Sequence, residues 1–230
     1  MNIPVLMYHS VSDKKNKMSV SKNNFKKQMK LMNKFGFKGV NLKDMDKNEH
    51  GKKFVITFDD GYEDVFINAF PILCELGFGA TCFFVANQIG KSNTWDKNLT
   101  NYHEMKIMND KQINEWHKNG LEVGSHSLDH KNLTKINFMD KSKQIIDSKN
   151  VFKNKYNIEV KSFSYPFGYF DDECIQLIKK NYEYAVTTKR SRYMPKKFDK
   201  AQIPRVPINS NTSIIKFMLK VFTIYEDIKY

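Results

Sequence analysis

Cysteine is scarce. The three in 230 residues, Cys74, Cys82 and Cys174, are too few and too scattered for a disulfide framework or a thiolate metal site. All three sit in apolar surroundings, which predicts buried, reduced thiols. No apolar run reaches the roughly 18 residues that a bilayer span needs. The opening Met1-Asn-Ile-Pro-Val-Leu-Met also lacks the basic start, long apolar stretch and small-residue cleavage site of a secretory signal. A cytoplasmic location is expected, with peripheral placement at the inner membrane face as the alternative. Internal repeats, low-complexity blocks and Pro-, Gly- or Ser-rich linkers are missing, so residues 1–230 are expected to form one domain. Acidic residues are outnumbered, 25 against 38 basic, leaving a charge of +13. That balance favours anionic partners (nucleic acid, an acidic membrane surface or a phosphorylated substrate) without choosing among them. The lysine and asparagine usage of a biased genome accounts for it equally well. No aromatic-basic recognition motif accompanies the charge, so nucleic acid is not the expected partner. With 40% hydrophobic and 13% aromatic residues, the chain has ample material for a core, and global disorder is excluded.

Short apolar runs alternate with amphipathic stretches. Residues 4–8, 54–58, 81–85, 121–124, 162–165 and 184–188 read as strands by length and β-former content. Phe25, Met29, Met32 and Phe35 recur at helical spacing between Ser21 and Gly36. Further helices are predicted over 63–76 (kinked or restarted at Pro71), 109–119, 138–156, 171–181 and 213–225. This alternation implies βα units and a parallel sheet or barrel. Residues 87–108 break the pattern. They have no clear period yet carry Trp95, Tyr102 and His103, and a loop this long is a candidate lid or substrate wall. In 213–225 apolar side chains cover nearly the whole circumference, with Lys216 and Lys220 on one side. Such a helix suits an anionic interface, and equally the closure of a barrel end or a subunit contact.

Two segments carry chemistry. In the first, the strand ending Thr57-Phe58 runs straight into Asp59-Asp60-Gly61, placing two acids at the C-terminal end of a strand, where parallel α/β folds build their sites. A turn at Gly61 would bring both carboxylates to one pocket; the plain alternative is a helix cap. In the second, another strand end is followed by His126 and His130, four apart, as two metal ligands on one helical turn would be. Neutral imidazoles suit Zn²⁺ or Co²⁺, and a carboxylate would complete a three-ligand site. Each segment alone is explained as well by structure. Their conjunction at the ends of parallel strands is not.

Thr57-Phe-Asp-Asp-Gly61 and His126-Ser-Leu-Asp-His130 resemble the first two motifs of the polysaccharide deacetylases, the carbohydrate esterase family 4 or NodB-homology enzymes. Ser164-Tyr-Pro-Phe-Gly168 is similar to the third motif, and the opening Val5-Leu-Met-Tyr-His9 to that of a permuted exopolysaccharide-deacetylase subgroup. Ile203-Pro-Arg-Val-Pro207 is similar to a looser family feature. The resemblance implies a distorted (β/α) barrel of about seven units. It also implies a metal, usually zinc, held by Asp60, His126 and His130, with Asp59 as general base. A backbone N–H at Phe167 would hold the oxyanion, with Pro166 and Gly168 shaping its turn.

Two departures matter. Ser164 stands where the third motif usually has an arginine that orients the base, and no histidine follows His130 to act as the family's late catalytic acid. The resemblance to the permuted subgroup assigns the acid to His9, against a strand-end histidine bonded to backbone. Arg205 is a candidate substitute for the missing arginine, against an ordinary surface arginine. His50 and His117 read as solvated, and Trp95 and Tyr102 as sugar-stacking or simply packing residues. The implied activity is metal-dependent removal of an N-acyl group, acetyl first, from an amino sugar. The positive charge favours a nucleotide- or lipid-pyrophosphate-linked substrate and contact with an anionic membrane. Deformylation of a lipid-linked sugar is one alternative, and a catalytically silent glycan-binding module, suggested by Ser164, is the other.

Overall fold

The structure, a computed structural model, describes residues 2–14, 16–47, 51–98, 100 and 102–229; His50 lies outside them. In chain order its elements begin with β1 (Val5–Tyr8), β2 (Ser10–Val11), β3 (Ser19–Val20), α1 (Lys22–Lys34), β4 (Phe37–Val40) and β5 (Lys52–Phe58). A π turn (Val65–Ala69) leads into α2 (Phe70–Leu76), followed by β6 (Thr81–Phe84), α3 (Asp110–Lys118) and β7 (Glu122–Ser125). Then come α4 (Phe138–Tyr156), β8 (Ser162–Ser164), α5 (Asp172–Asn181), β9 (Tyr184–Arg190), β10 (Ile203–Pro207) and α6 (Ile214–Phe222).

The main sheet is parallel throughout and runs β1-β10-β9-β8-β7-β6-β5, and β5 pairs back onto β1 to close a seven-stranded barrel. β4 adds an eighth strand along the first half of β5. This is the distorted (β/α) barrel that the motifs imply. Its strands are buried nearly end to end, as expected where a parallel sheet is covered on both faces. The small β2–β3 pair stands outside the ring.

Local chemistry sets the element ends. Ser21 caps α1 through the Asn24 N–H, and Asn109 and Gln112 form a reciprocal capping box on α3. Pro71 falls in the first turn of α2, where its missing N–H costs no helical bond, and the π turn before it absorbs the change of phase. Inside the barrel, Glu122 at the start of β7 is buried and accepts hydrogen bonds from the Thr81 and Ser162 hydroxyls and the Lys43 N–H. Burial pushes its carboxyl up.

Three expectations are corrected. Cys82 and Cys174 are buried, but Cys74 is exposed on the outer side of α2. β4 and β10 were not among the predicted strands. Lys220 does not share an outward face with Lys216: its ammonium is buried, donating to the Pro207 carbonyl at 2.8 Å and to Glu226 at 2.6 Å. α6 instead packs on the barrel, with Phe217 and Val221 buried and Phe222 against Phe35 and Phe37. No helix among the described residues is long and apolar enough to cross a membrane.

Candidate active site

The C-terminal ends of β1, β5, β7, β8 and β10 converge on one buried cluster. Beyond β5 the chain does not enter a helix at once. Asp60 and Gly61 both take left-handed backbone conformations (φ 71° and 72°), and helical backbone starts only at Glu63. Neither acid is therefore a helix cap. Gly61 is required twice over, by its φ and because a Cβ there would lie 2.5 Å from the Phe84 ring. The two histidines do not meet on a helix either. Residues 126–130 form a loop in which Ser127 and His130 are left-handed (φ 65° and 58°). Phe167 shares that conformation. Four of the five non-glycine residues with positive φ among the described residues thus lie at this cluster, where strained backbone is tolerated because the surroundings dictate it.

Asp60 Oδ1 lies 3.5 Å from both His126 Nε2 and His130 Nε2, and the two imidazole nitrogens are 3.2 Å apart. One ligand atom from each of the three residues fits within 4.8 Å. His126 Nδ1 is 2.7 Å from the Ser164 carbonyl, which can only accept; Nδ1 therefore carries the proton and Nε2 offers its lone pair to the cluster. The His130 ring is held differently, between Trp95 (centroids 4.8 Å apart) and Phe167 (4.5 Å). Burial lowers both imidazoles, keeping them in the neutral form that binds metal. Asp60 is pushed well above the usual carboxylate range by burial and by the charge of Asp59, although the Tyr62 hydroxyl donates to it. A buried carboxylate between two neutral imidazoles, with no lysine or arginine among the described residues bonded to it, fits a divalent metal ion, whose charge would reverse that penalty.

Asp59 has its own cation. Arg205 donates to both of its oxygens, at 2.8 and 2.7 Å, in a bidentate pair with no exposure on the arginine. The guanidinium is fixed in turn by the Thr187 carbonyl (2.9 Å) and Thr57 Oγ1 (3.1 Å), and its Nη2 is 3.4 Å from Ser164 Oγ. Burial opposes ionisation of Asp59, but Arg205 outweighs it and holds the carboxyl far below its ordinary range. Arg205 is thus no surface arginine. Its guanidinium reaches the Ser164 hydroxyl from the neighbouring side of the barrel, so the short side chain at 164 leaves the room that Arg205 fills.

His9, just past β1, has Nε2 3.9 Å from Asp59 Oδ2 and a ring about one-fifth exposed. Burial pulls it down to about 4 against the opposing charge of Asp59. Phe167 lies in the turn Pro166–Gly168, its ring half exposed beside His130. Of the remaining candidates, His103 and His117 are exposed, and Tyr102 is half-buried with an unpartnered hydroxyl. Sequence reasoning missed Tyr62, whose hydroxyl donates to Asp60, Asp96, whose charge acts on Asp60, and Thr57 and Thr187 as holders of Arg205. Tyr62 carried a signal in standing directly after the acid–acid–glycine turn. The others carried none.

The family of polysaccharide deacetylases matches residues 46–186. YxkH of Bacillus subtilis strain 168, which bears that family's name, is 31% identical over 193 residues, 81% of this chain and 64% of YxkH. A poly-beta-1,6-N-acetyl-D-glucosamine N-deacetylase of Staphylococcus epidermidis is 30% identical over 208 residues, 84% of this chain and 69% of that protein. The chain thus spans slightly less than two thirds of the first relative and slightly more of the second. Among solved structures, the Streptococcus pyogenes deacetylase PplD, in complex with acetate, has the same fold. Its TM-score is 0.82 at 22% identity, covering 96% of this chain and 98% of that one. The chain belongs to the polysaccharide deacetylase family.

Proposed function

We propose that this protein is a metal-dependent N-deacetylase acting on N-acetylated amino-sugar residues of a glycan. The observation that carries the reading is the convergence of Asp60, His126 and His130 within 4.8 Å beside an Asp59 clamped by Arg205. Asp60 Oδ1 and the two Nε2 atoms would hold the ion, and a two-nitrogen, one-oxygen set suits zinc, with cobalt as a functional replacement. Such an ion supplies Lewis acidity, lowering the pKa of water toward about 7 and polarising the acyl carbonyl.

The chain's own residues handle the proton and the charge. Asp59, favoured in its ionised form and oriented by Arg205, is ready to accept a proton from the attacking water. His9 Nε2 lies 3.9 Å from Asp59 Oδ2, close enough to take over the proton that Asp59 accepts. His9, neutral at rest, then delivers it to the amine nitrogen as the C–N bond breaks. Water's hydroxyl remains on the acyl carbon and its proton leaves with the amine. The Phe167 N–H donates to the oxygen that becomes negative, in a turn kept narrow by Gly168, where a Cβ would meet Thr188. The silent-module alternative rested on Ser164; Arg205 supplies the missing cation, and that support falls away.

The test is acetate and formate release from N-acylated glucosamine oligomers by zinc-loaded protein. Acetate release is expected from the wild type. Asp59→Asn should retain bound metal in elemental analysis while losing at least about a hundredfold in kcat. His126→Ala should lose the metal itself. Near-full activity in Asp59→Asn would reject the base assignment.

A further inference from the structure

α6 is amphipathic the wrong way round for a helix on the outside of a barrel. Its inner face includes a lysine, Lys220, held by Glu226 and the Pro207 carbonyl, and Lys216 is half-buried. Its exposed residues, Ile214, Ile215 and Leu219, are all apolar. Ile215 and Leu219 stand one turn apart on the same face. Ile215 is 65% exposed, at a position where an ordinary surface helix carries a charged or polar residue. The apolar surface continues past the helix. Phe222 packs 5.1 Å from the ring of Phe35, which is half exposed just after α1. The chain beyond presents Ile224, 62% exposed, and Ile228. Single exposed apolar side chains are ordinary, whereas a run of them along a helix and its neighbour marks a contact surface.

The surround of this strip is basic. From Lys14 to Lys43 the sequence has ten lysines and no acid, and from Lys200 to Tyr225 it again has no acid. These two stretches supply α1 and α6. Lys27 lies two turns before Phe35 on the same ridge, with Lys34 beside it, and both lysines are exposed. Lys52 stands over the Phe37 ring, which touches Phe222. At the other end of α6, the Lys17 carbonyl accepts from the Ser210 N–H. The first acids after α6 are taken up within the chain, Glu226 by Arg190 and Lys220, and Asp227 by Arg192. An apolar strip with a lysine rim calls for a partner that is apolar within and anionic at its surface. A bilayer with acidic headgroups is both. Nucleic acid answers the lysines but leaves the isoleucines in water. A second copy on the same face would set each lysine rim against its own kind.

We propose that the outer face of α6, with the end of α1, seats the protein on an anionic membrane surface. The exposed isoleucines and Leu219 enter the headgroup region, and the lysines around them contact lipid phosphates. α6 runs from the C-terminal end of β10 back toward the start of β4, along the barrel wall. Docking on it holds the mouth of the barrel beside the bilayer. The proposal goes beyond the deacetylase reading and is scored without turnover, by vesicle co-sedimentation of the full chain. Protein should partition at least about tenfold more strongly onto phosphatidylcholine vesicles containing about one-third phosphatidylglycerol than onto phosphatidylcholine alone. Salt at about 0.5 M should remove most of that difference. Ile215→Ser with Leu219→Ser should weaken binding to the anionic vesicles at least about tenfold, with an unchanged thermal melt. Lys34→Glu with Lys216→Glu should do the same. Met139→Ser, on α4 and more exposed than either apolar target, should change nothing. Equal binding to both vesicles, undiminished binding in the Ile215 and Leu219 variant, or loss of binding in Met139→Ser would each overturn the assignment. A dimer in sedimentation equilibrium that this double variant abolishes, without vesicle binding by the wild type, would overturn it in favour of a second copy.

Discussion

The Asp59–Arg205 pair shows how one buried contact sets both charge and geometry. With neither partner exposed to water, truncating Arg205 to alanine leaves an uncompensated carboxylate, which costs about 3–5 kcal/mol and is measurable by denaturant unfolding. Arg205→Lys retains a cation but not the fork. Asp59 should then titrate higher, and the acid limb of the kcat/KM–pH profile should move to higher pH; a superimposable profile would detach Arg205 from the base. His9 makes a separate prediction. Its folded value of about 4 lies below its ordinary 6.5, so the unfolded chain binds the extra proton between these pH values. Its contribution is present above pH 6.5 and lost as the pH falls toward 4, about 2 kcal/mol once partial exposure is allowed for. Metal-free His9→Gln should lose less stability than wild type over that window in paired melts.

Elements differ in how openly the sequence announces them. α4 is predicted at 138–156 and found there, because a long amphipathic pattern with an Asn137 cap and an Asn157 stop leaves little choice. β10 is different. Pro204 and Pro207 argue against a strand, yet a register shift between Ile203 and Arg205 lets the segment pair with β9 and β1. That is why Arg205 could be weighed only against a surface role: its meaning depends on a strand the local pattern denies. β4, Phe-Lys-Gly-Val, is too short and too interrupted to announce itself. The metal triad was legible from its residue types, but not its mechanism of assembly. Left-handed turns at Asp60, Ser127 and His130 replace the helical spacing that suggested it. The turn after β5 is correspondingly fragile. Gly61→Ala meets both a positive φ and the Phe84 ring, and should cost about 1–3 kcal/mol while weakening metal affinity. Thermal melts with and without zinc separate the two effects.

For the whole molecule, the charge of +13 and the barrel are independent facts. Lys220, once a candidate for an outer basic face, is an internal strut between Pro207 and Glu226. Arg190 reaches the same buried Glu226, so the segment after α6 is bolted to the ends of β9 and β10. Metal should stabilise the whole fold, since its three ligands come from two separated βα units, Asp60 after β5 and both histidines after β7. At free zinc a hundredfold above its Kd the gain is about 2.7 kcal/mol, roughly 5–10 °C in Tm for a chain of this size. A chelator should reverse it, and His126→Ala should show no such shift.

Ring closure has a consequence for how the protein is made. β1, which ends beside His9, must wait for β10, synthesised some two hundred residues later, before its second edge is paired. Arg205 travels on that last strand. During translation, then, a ribosome-bound chain complete through β9 holds all three metal-binding side chains and Asp59, but nothing to neutralise or aim that acid. Catalytic competence should switch on abruptly as the final strand emerges, and slow, long-range closure is the expected rate-limiting event in refolding.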